Sequence, residues 1–208
     1  MTARAATRRP ARRRAHVARR RALGVLILAA VVSGGIVLAM PHLDRAVKEV
    51  TLPLKHEDII RQQSEDKDLD PALIAAVIFA ESKFRDATSP TGAKGLMQIQ
   101  PDTAKYIARL SGGSAFELED LGTPQINIQY GSYYLRYLLN RYGGNEILAV
   151  AAYNGGETNV DRWIAKAGHR GKSFTRDDIG FPETRAYVDR VLGAKDDYRD
   201  EYRSELGL

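Results

Sequence analysis

From His56 to the carboxyl end, apolar residues recur at intervals of three and four and almost never alternate. An α-helix has about 3.6 residues per turn, so this spacing gathers side chains on one face, whereas a strand needs a period of two. The chain beyond His56 therefore reads as all-α. Cap and turn residues set the boundaries. Asp70-Pro71 puts an N-cap acid before a proline at the first helical position, opening a helix expected over 72–84. Proline and two glycines make 89–95 a loop. Pro101-Asp102 opens a helix to residue 110, broken by Ser111-Gly112-Gly113. A long helix is expected over 124–142, with Ile126, Tyr130, Tyr133, Tyr137 and Leu138 on one side. Another over 145–153 is stopped by Asn154-Gly155-Gly156. Val160, Trp163 and Ile164 suggest a further helix. Pro182 opens the last, with Tyr187, Val188, Val191 and Leu192 inward.

The amino end is of another kind. Arg4, Arg8, Arg9, Arg12, Arg13, Arg14, Arg19, Arg20 and Arg21 precede a charge-free stretch over 22–40. At about 1.5 Å per residue that stretch is just long enough to cross a bilayer. The arginines favour the cytoplasmic side and place the carboxyl side outside. A single-pass anchor is the first reading. A secretory signal cut after Ala39, or a buried soluble helix, are the alternatives. The expected plan is a basic tail at 1–21, a membrane segment at 22–40, a linker at 41–55 and a folded domain at 56–208. The location is then the cell membrane with the domain outside the cytoplasm, or secreted if the segment is cut.

The formal charge of +5 would suggest nucleic acid, but it comes from that tail. Beyond it, 22 Lys+Arg face 26 Asp+Glu, and no nucleic-acid partner is expected. Hydrophobic residues at 44% permit a packed core. The chain has no cysteine, which excludes thiolate metal sites and a cysteine nucleophile. His16, His42, His56 and His169 show no metal spacing, so neither metal nor cofactor is expected.

Glu81 is the odd residue. It follows Ile74 by seven positions, Val77 by four and Ile78 by three, which puts a carboxyl on an apolar helix face. Burial raises a carboxyl pKa, and an acid protonated near neutrality can donate to a leaving oxygen. The plainer alternative is a helix-end glutamate, solvated or paired with Lys83 or Arg85.

Glu81-Ser82-Lys83-Phe84 and Ser89-Pro90-Thr91-Gly92-Ala93-Lys94-Gly95-Leu96-Met97-Gln98 resemble the lytic transglycosylases of the soluble, lysozyme-like type. The resemblance continues through Pro101-Asp102-Thr103-Ala104, Asn127-Ile128-Gln129-Tyr130-Gly131, Tyr134-Leu135 and Ala151-Ala152-Tyr153-Asn154-Gly155-Gly156 with Trp163. It closes at Phe181-Pro182-Glu183-Thr184-Arg185 with Tyr187-Val188. The set spans about 56–195 in the family's order.

The resemblance implies cleavage of the β-1,4 bond between N-acetylmuramic acid and N-acetylglucosamine in peptidoglycan glycan strands. The muramic 6-hydroxyl, not water, attacks C1 and leaves a 1,6-anhydro end. One proton shuttle then suffices, and Glu81 is implied as that acid and base. Ser89 is implied as a substrate hydrogen-bonding residue, with a turn role as the alternative. Gly92 and Gly95 are implied to let the loop backbone lie close to sugar. Met97 and Gln98 correspond to the cleft floor, although Met97 alone would read as core filler. Tyr153 is implied to reach the catalytic carboxyl region, Asn154 to serve ligand or helix end, and Glu183 to line the cleft or serve the helix dipole. The tyrosines of the long helix and Trp163 read first as core. Glu81 to Ser89 is one position shorter than in the family, and Arg85-Asp86-Ala87-Thr88 lacks its proline.

Two other functions compete. A hydrolytic muramidase would need a second carboxylate, for which Asp86, Asp102 and Glu183 are candidates. A glycan-binding scaffold would leave the cost of Glu81 in an apolar face without a purpose.

Overall fold

A computed structural model describes residues 48–112, 116–168 and 173–208. The expected basic tail, the expected membrane segment and most of the expected linker lie outside these. Among the described residues no helix is long and apolar enough to cross a membrane. Residues 52–208 form one compact unit.

That unit is all-α. Its helices are α1 (Glu57–Lys67), α2 (Pro71–Ser82), α3 (Pro101–Ser111), α4 (Pro124–Arg141), α5 (Glu146–Gly155), α6 (Glu157–Gly168), α7 (Pro182–Glu201) and α8 (Arg203–Leu206). Two 3-10 turns, Leu118–Gly122 and Arg176–Asp178, lie between them. The only β pairings among the described residues are single bridges, Thr88 to Lys94 and Lys94 to Ile99, inside the loop after α2.

Helix α2 is the axis of the domain. Every residue from Pro71 to Ile78 is buried, because its sequence is apolar on all sides and neighbours surround it. Its closest packing is along α7. At its start Asp70 Oδ1 accepts the Ala72 N–H at 2.9 Å, as the Asp-Pro pair predicts. The second Asp70 oxygen, Oδ2, meets Arg199 of α7 at 2.6 Å and Lys195 at 3.6 Å. Lys195 in turn holds Glu146 of α5 at 2.7 Å. One carboxylate thus caps α2 and ties it to α7 and, through Lys195, to α5.

At its other end α2 stops two residues earlier than the expected 84. Lys83 and Phe84 both take left-handed backbone angles, φ 52° and 58°, and the Lys83 N–H closes on Phe79 O at 3.0 Å. Such angles disfavour side-chain-bearing residues and must be held by packing. Buried Phe84 supplies it, its ring 6.1 Å from that of Tyr198. The abrupt exit leaves Glu81 in the last turn, at the edge of the core.

Three other expectations shift. Helix α4 buries Asn127, Ile128, Gly131, Ser132, Leu135, Leu138 and Leu139, not the face drawn through Ile126 and the tyrosines. Tyrosine hydroxyls need partners, so the rings sit half-buried along one flank. Helix α5 runs on through Asn154 to Gly155 and ends at Gly156, φ 82°. A side chain at Gly155 would meet Thr184 Oγ1 at 3.0 Å and the Trp163 ring at 3.3 Å, so the helix persists where α6 and α7 press on it. The compact unit also begins at Leu52 rather than His56. The Leu52 carbonyl accepts the Tyr202 hydroxyl at 2.7 Å, and the Pro53 carbonyl accepts the Tyr198 hydroxyl.

Candidate active site

Glu81 is held from α7. The Tyr187 hydroxyl donates to Glu81 Oε1 at 2.7 Å. Tyr187 is itself buried, and burial, then the charge of Glu81, pushes its hydroxyl pKa well up, so it stays a neutral donor. Glu81 is raised to about 7. Burial is the main cause; the Tyr187 hydrogen bond and the positive charge of Arg190 pull the other way. The Arg190 guanidinium also lies 5.6 Å from the centre of the Tyr187 ring. Asp86, Asp102 and Glu183 are all exposed.

The loop after α2 is organised by Asn127 of α4. Its Oδ1 accepts the Met97 N–H at 2.8 Å, and its Nδ2 donates to Lys94 O at 3.0 Å and Leu121 O at 2.9 Å. Three bonds satisfy a polar side chain that is only 1% exposed. Gly95, with φ 75°, lies directly over this amide, and a Cβ there would stand 2.1 Å from Asn127 Nδ2. Gly95 therefore lets the loop lie close to Asn127. Met97 is likewise turned inward. Its side chain is fully buried against Gly131, where an added Cβ would meet the sulfur at 2.2 Å. It is core, not cleft floor. What Met97 offers the cleft side is its carbonyl, which accepts the Tyr153 hydroxyl at 3.0 Å.

Ser89 closes a turn. Its Oγ accepts the Ala93 N–H at 3.0 Å and lies 2.9 Å from Thr91 Oγ1. Gln98, φ 46°, spends its amide N–H groups on Ala87 O at 2.8 Å and Gly95 O at 2.7 Å. Gly92, φ 86°, sits in the same turn with open space around it.

These elements border a cleft of about 270 Å³ lined by Gln98, Ile99, Gln100, Thr103 and Tyr134 and by α5 from Ala152 through Tyr153 and Asn154 to Gly156. Tyr153 is the link to Glu81. Its ring is partly open while its hydroxyl is enclosed; burial and then the Glu81 charge raise its pKa well above the ordinary value. Asn154 Oδ1 accepts the Thr184 hydroxyl at 2.8 Å, pinning the cleft end of α5 to α7. Glu183, next to Thr184, is exposed in the first turn of α7, where a carboxylate favours the positive helix end. Asp86 borders a separate hollow with Lys94 and Glu119.

Sequence reasoning had placed Tyr187 in the core and assigned no role to Asn127, Arg190 or Glu157. Glu157 Oε1 lies 3.4 Å from the Tyr134 hydroxyl, and Oε2 accepts Tyr137 at 3.1 Å and pairs with Arg141 at 3.1 Å. Tyr134 stacks on Tyr137 and tilts against Tyr153, so this carboxylate steadies one cleft wall. A larger hollow of about 680 Å³ between α1 and α4 lies elsewhere; there Arg136 bonds Lys67 O at 2.7 Å and pairs with Asp68 at 3.7 Å. Among the described residues no cluster of His, Cys, Asp or Glu could hold a metal.

The domain is helical, and among the described residues Glu81 is the carboxyl raised by burial, at the end of the central helix. Comparison with known proteins gives the family: residues 58–175 match the Transglycosylase SLT domain, and the chain belongs to it. The soluble lytic murein transglycosylase of Salmonella typhimurium is 34% identical over 168 residues, 76% of this chain and 24% of the relative. The 70 kDa soluble lytic transglycosylase of Escherichia coli superposes with TM-score 0.68 at 32% identity, over 73% of this chain and 25% of that one. An inactive mutant of a lytic transglycosylase from Pseudomonas aeruginosa gives TM-score 0.67 at 31% identity, over 76% and 26%. The chain thus spans about a quarter of the length of the relatives it matches.

Proposed function

We propose that this chain is a peptidoglycan lytic transglycosylase that cleaves the N-acetylmuramic acid–β-1,4–N-acetylglucosamine bond without water. The observation that carries the reading is Glu81: a carboxyl at the end of the apolar α2, fixed by Tyr187 and raised to about 7 by burial, while Asp86, Asp102 and Glu183 all stand exposed. A hydrolase of either stereochemistry uses a carboxyl pair. Here the protonated acid donates to the glycosidic oxygen as the bond to C1 breaks. The muramic 6-hydroxyl then bonds to C1, and its proton goes to the Glu81 carboxylate, which restores the acid. The attacking group is already on the sugar, which supplies the effective concentration a held water would otherwise need. Tyr187 occupies Oε1, which leaves Oε2 for the proton. Arg190 steadies the carboxylate between the two steps.

Gln98, Tyr153 and Asn154 are assigned to sugar contact from their place on the cleft, and Glu183 to its rim. Ser89, Gly95 and Met97 serve by building the loop. For the amino end the single-pass anchor is retained, supported by the arginines before the charge-free stretch.

Mass spectrometry of fragments released from purified peptidoglycan tests the chemistry. The expected ends are 1,6-anhydro-N-acetylmuramic acid, one water lighter than hydrolytic ends and inert to borohydride. Predominantly reducing ends would make the chain a muramidase.

A further inference from the structure

Phe181 is the only aromatic among the large hydrophobic residues that stand well exposed in the described structure; at 44% it sits with Val50, Leu110 and Leu208. It is also held in place. Ile179 before it is fully buried, Thr184 after it is 2% exposed, and the Phe181 carbonyl accepts the Arg185 N–H at 3.0 Å. Arg185 also donates to Ile179 O at 2.8 Å. The ring leans edge-on against Trp163, centroids 5.1 Å apart at 86°. Gly180 allows that contact, since a Cβ there would stand 2.4 Å from Trp163 Nε1.

An aromatic ring kept rigid and left open offers a flat apolar face at little ordering cost to whatever stacks on it. Its neighbours show the direction. Three residues on, Thr184 is bonded to Asn154 of the cleft, and exposed Glu183 lies between. The ring touches Trp163, which stands 3.3 Å from a Cβ placed at cleft-lining Gly155, and the exposed Glu183 carboxylate lies two residues on. A pyranose ring has a matching surface, a face of C–H bonds edged by hydroxyl and acetamido groups.

We propose that Phe181 is a stacking platform for a sugar ring of the glycan strand, extending the cleft beyond Asn154 along the first turn of α7. The proposal rests on the reading that this cleft takes glycan, and not on the chemistry of cleavage.

The test uses the full chain carrying Glu81→Gln, titrated with a hexamer of N-acetylglucosamine by calorimetry and by tryptophan emission. Trp163 is the chain's single tryptophan and touches Phe181, so an occupied platform changes its emission. Phe181→Leu keeps an apolar side chain but loses the flat face, and should weaken binding about tenfold, as a lost ring contact does. Phe181→Tyr should stay within about threefold of the parent, and Phe181→Ala should fall at least as far as Phe181→Leu. Unchanged melting temperatures for the leucine variant separate lost binding from lost folding. Equal affinity in the leucine variant overturns the platform, and so does an absence of hexamer binding. If the hexamer binds through Phe181 while the unsubstituted enzyme releases reducing ends, the lytic reading falls and the platform stands.

Discussion

Glu81 and Tyr187 are separated by 106 positions, yet a 2.7 Å bond makes them one unit. Glu81→Gln keeps the shape and removes the proton. Acid–base help is worth about 10²–10⁴-fold, and one residue serves both steps here, so glycan cleavage should fall by at least that much. Residual activity above a tenth would place the acid elsewhere, with Glu183 the first to examine. With the carboxyl raised to about 7, the acid form is depleted above that pH, and activity should decline on the alkaline side. Tyr187→Phe removes a bond that favours the charged form. Its alkaline limb should therefore move to higher pH while kcat drops; a limb that stays put would show that Tyr187 does not set the acid. The same shift affects stability. The folded state holds the Glu81 proton more tightly than the unfolded chain, so its contribution is full below pH 4.5 and is lost as pH rises through about 7. Glu81→Gln escapes that loss, and urea unfolding should show it more stable than the parent at pH 8 but not at pH 4, by up to about 3 kcal/mol. Glu81 was legible as the odd carboxyl on an apolar face. Tyr187 was not, because nothing local distinguishes a tyrosine that fills the core from one that also aims its hydroxyl across to another helix.

Among the elements, the loop between α2 and α3 depends most on a distant residue. Asn127→Ala would leave the Met97 N–H of the loop and the Leu121 carbonyl beside it unpaired and would take one of two donors from the Lys94 carbonyl, which keeps the Ile99 N–H. Buried groups left unpaired cost about 1–3 kcal/mol each, so urea unfolding should show a loss of about 2 kcal/mol or more. Activity should fall too, since Tyr153 is anchored on the Met97 carbonyl. Gly95→Ala should be as severe, because its Cβ has only 2.1 Å to Asn127 Nδ2 at a left-handed φ. A Gly95→Ala enzyme of normal stability would refute this account of the loop. Helix starts were readable here because prolines and Asp70 act within a turn of themselves. The inward face of α4 was not. Its tyrosines mimic an apolar stripe, while the residue that matters, Asn127, looks like surface until the loop is folded onto it.

For the whole molecule, the segment entering the domain is part of the domain. Tyr198 and Tyr202 of the α7 end bond to the carbonyls of Pro53 and Leu52, and Tyr198 also packs on Phe79 and Phe84 at the end of α2. A chain starting at Leu52 should therefore melt higher than one starting at His56, by about 1–3 kcal/mol for two lost acceptors. Equal melting temperatures would show the strap to be ornamental. The full chain should partition with membranes; recovery in the soluble fraction at its uncut mass would rule out the anchor, and recovery at the mass cut after Ala39 would favour a secretory signal.

By itself the sequence determined the all-α class, most helix starts and the setting of Glu81 as a carboxyl on an apolar face. Those depend on periodicity, caps and one misplaced charge, all of which act within a few residues of each other. Only the tertiary structure decided that Ser89, Gly95 and Met97 build the loop, that Tyr187 rather than Tyr153 bonds the carboxyl, and that Phe181 stands open against Trp163. Each of those depends on groups brought together from 30 or more positions apart or on where a side chain turns once packed, as when α7 places Tyr187 against α2 and Asn127 against the loop decides which side chains face inward. Local pattern carries no record of which partner such a side chain will meet.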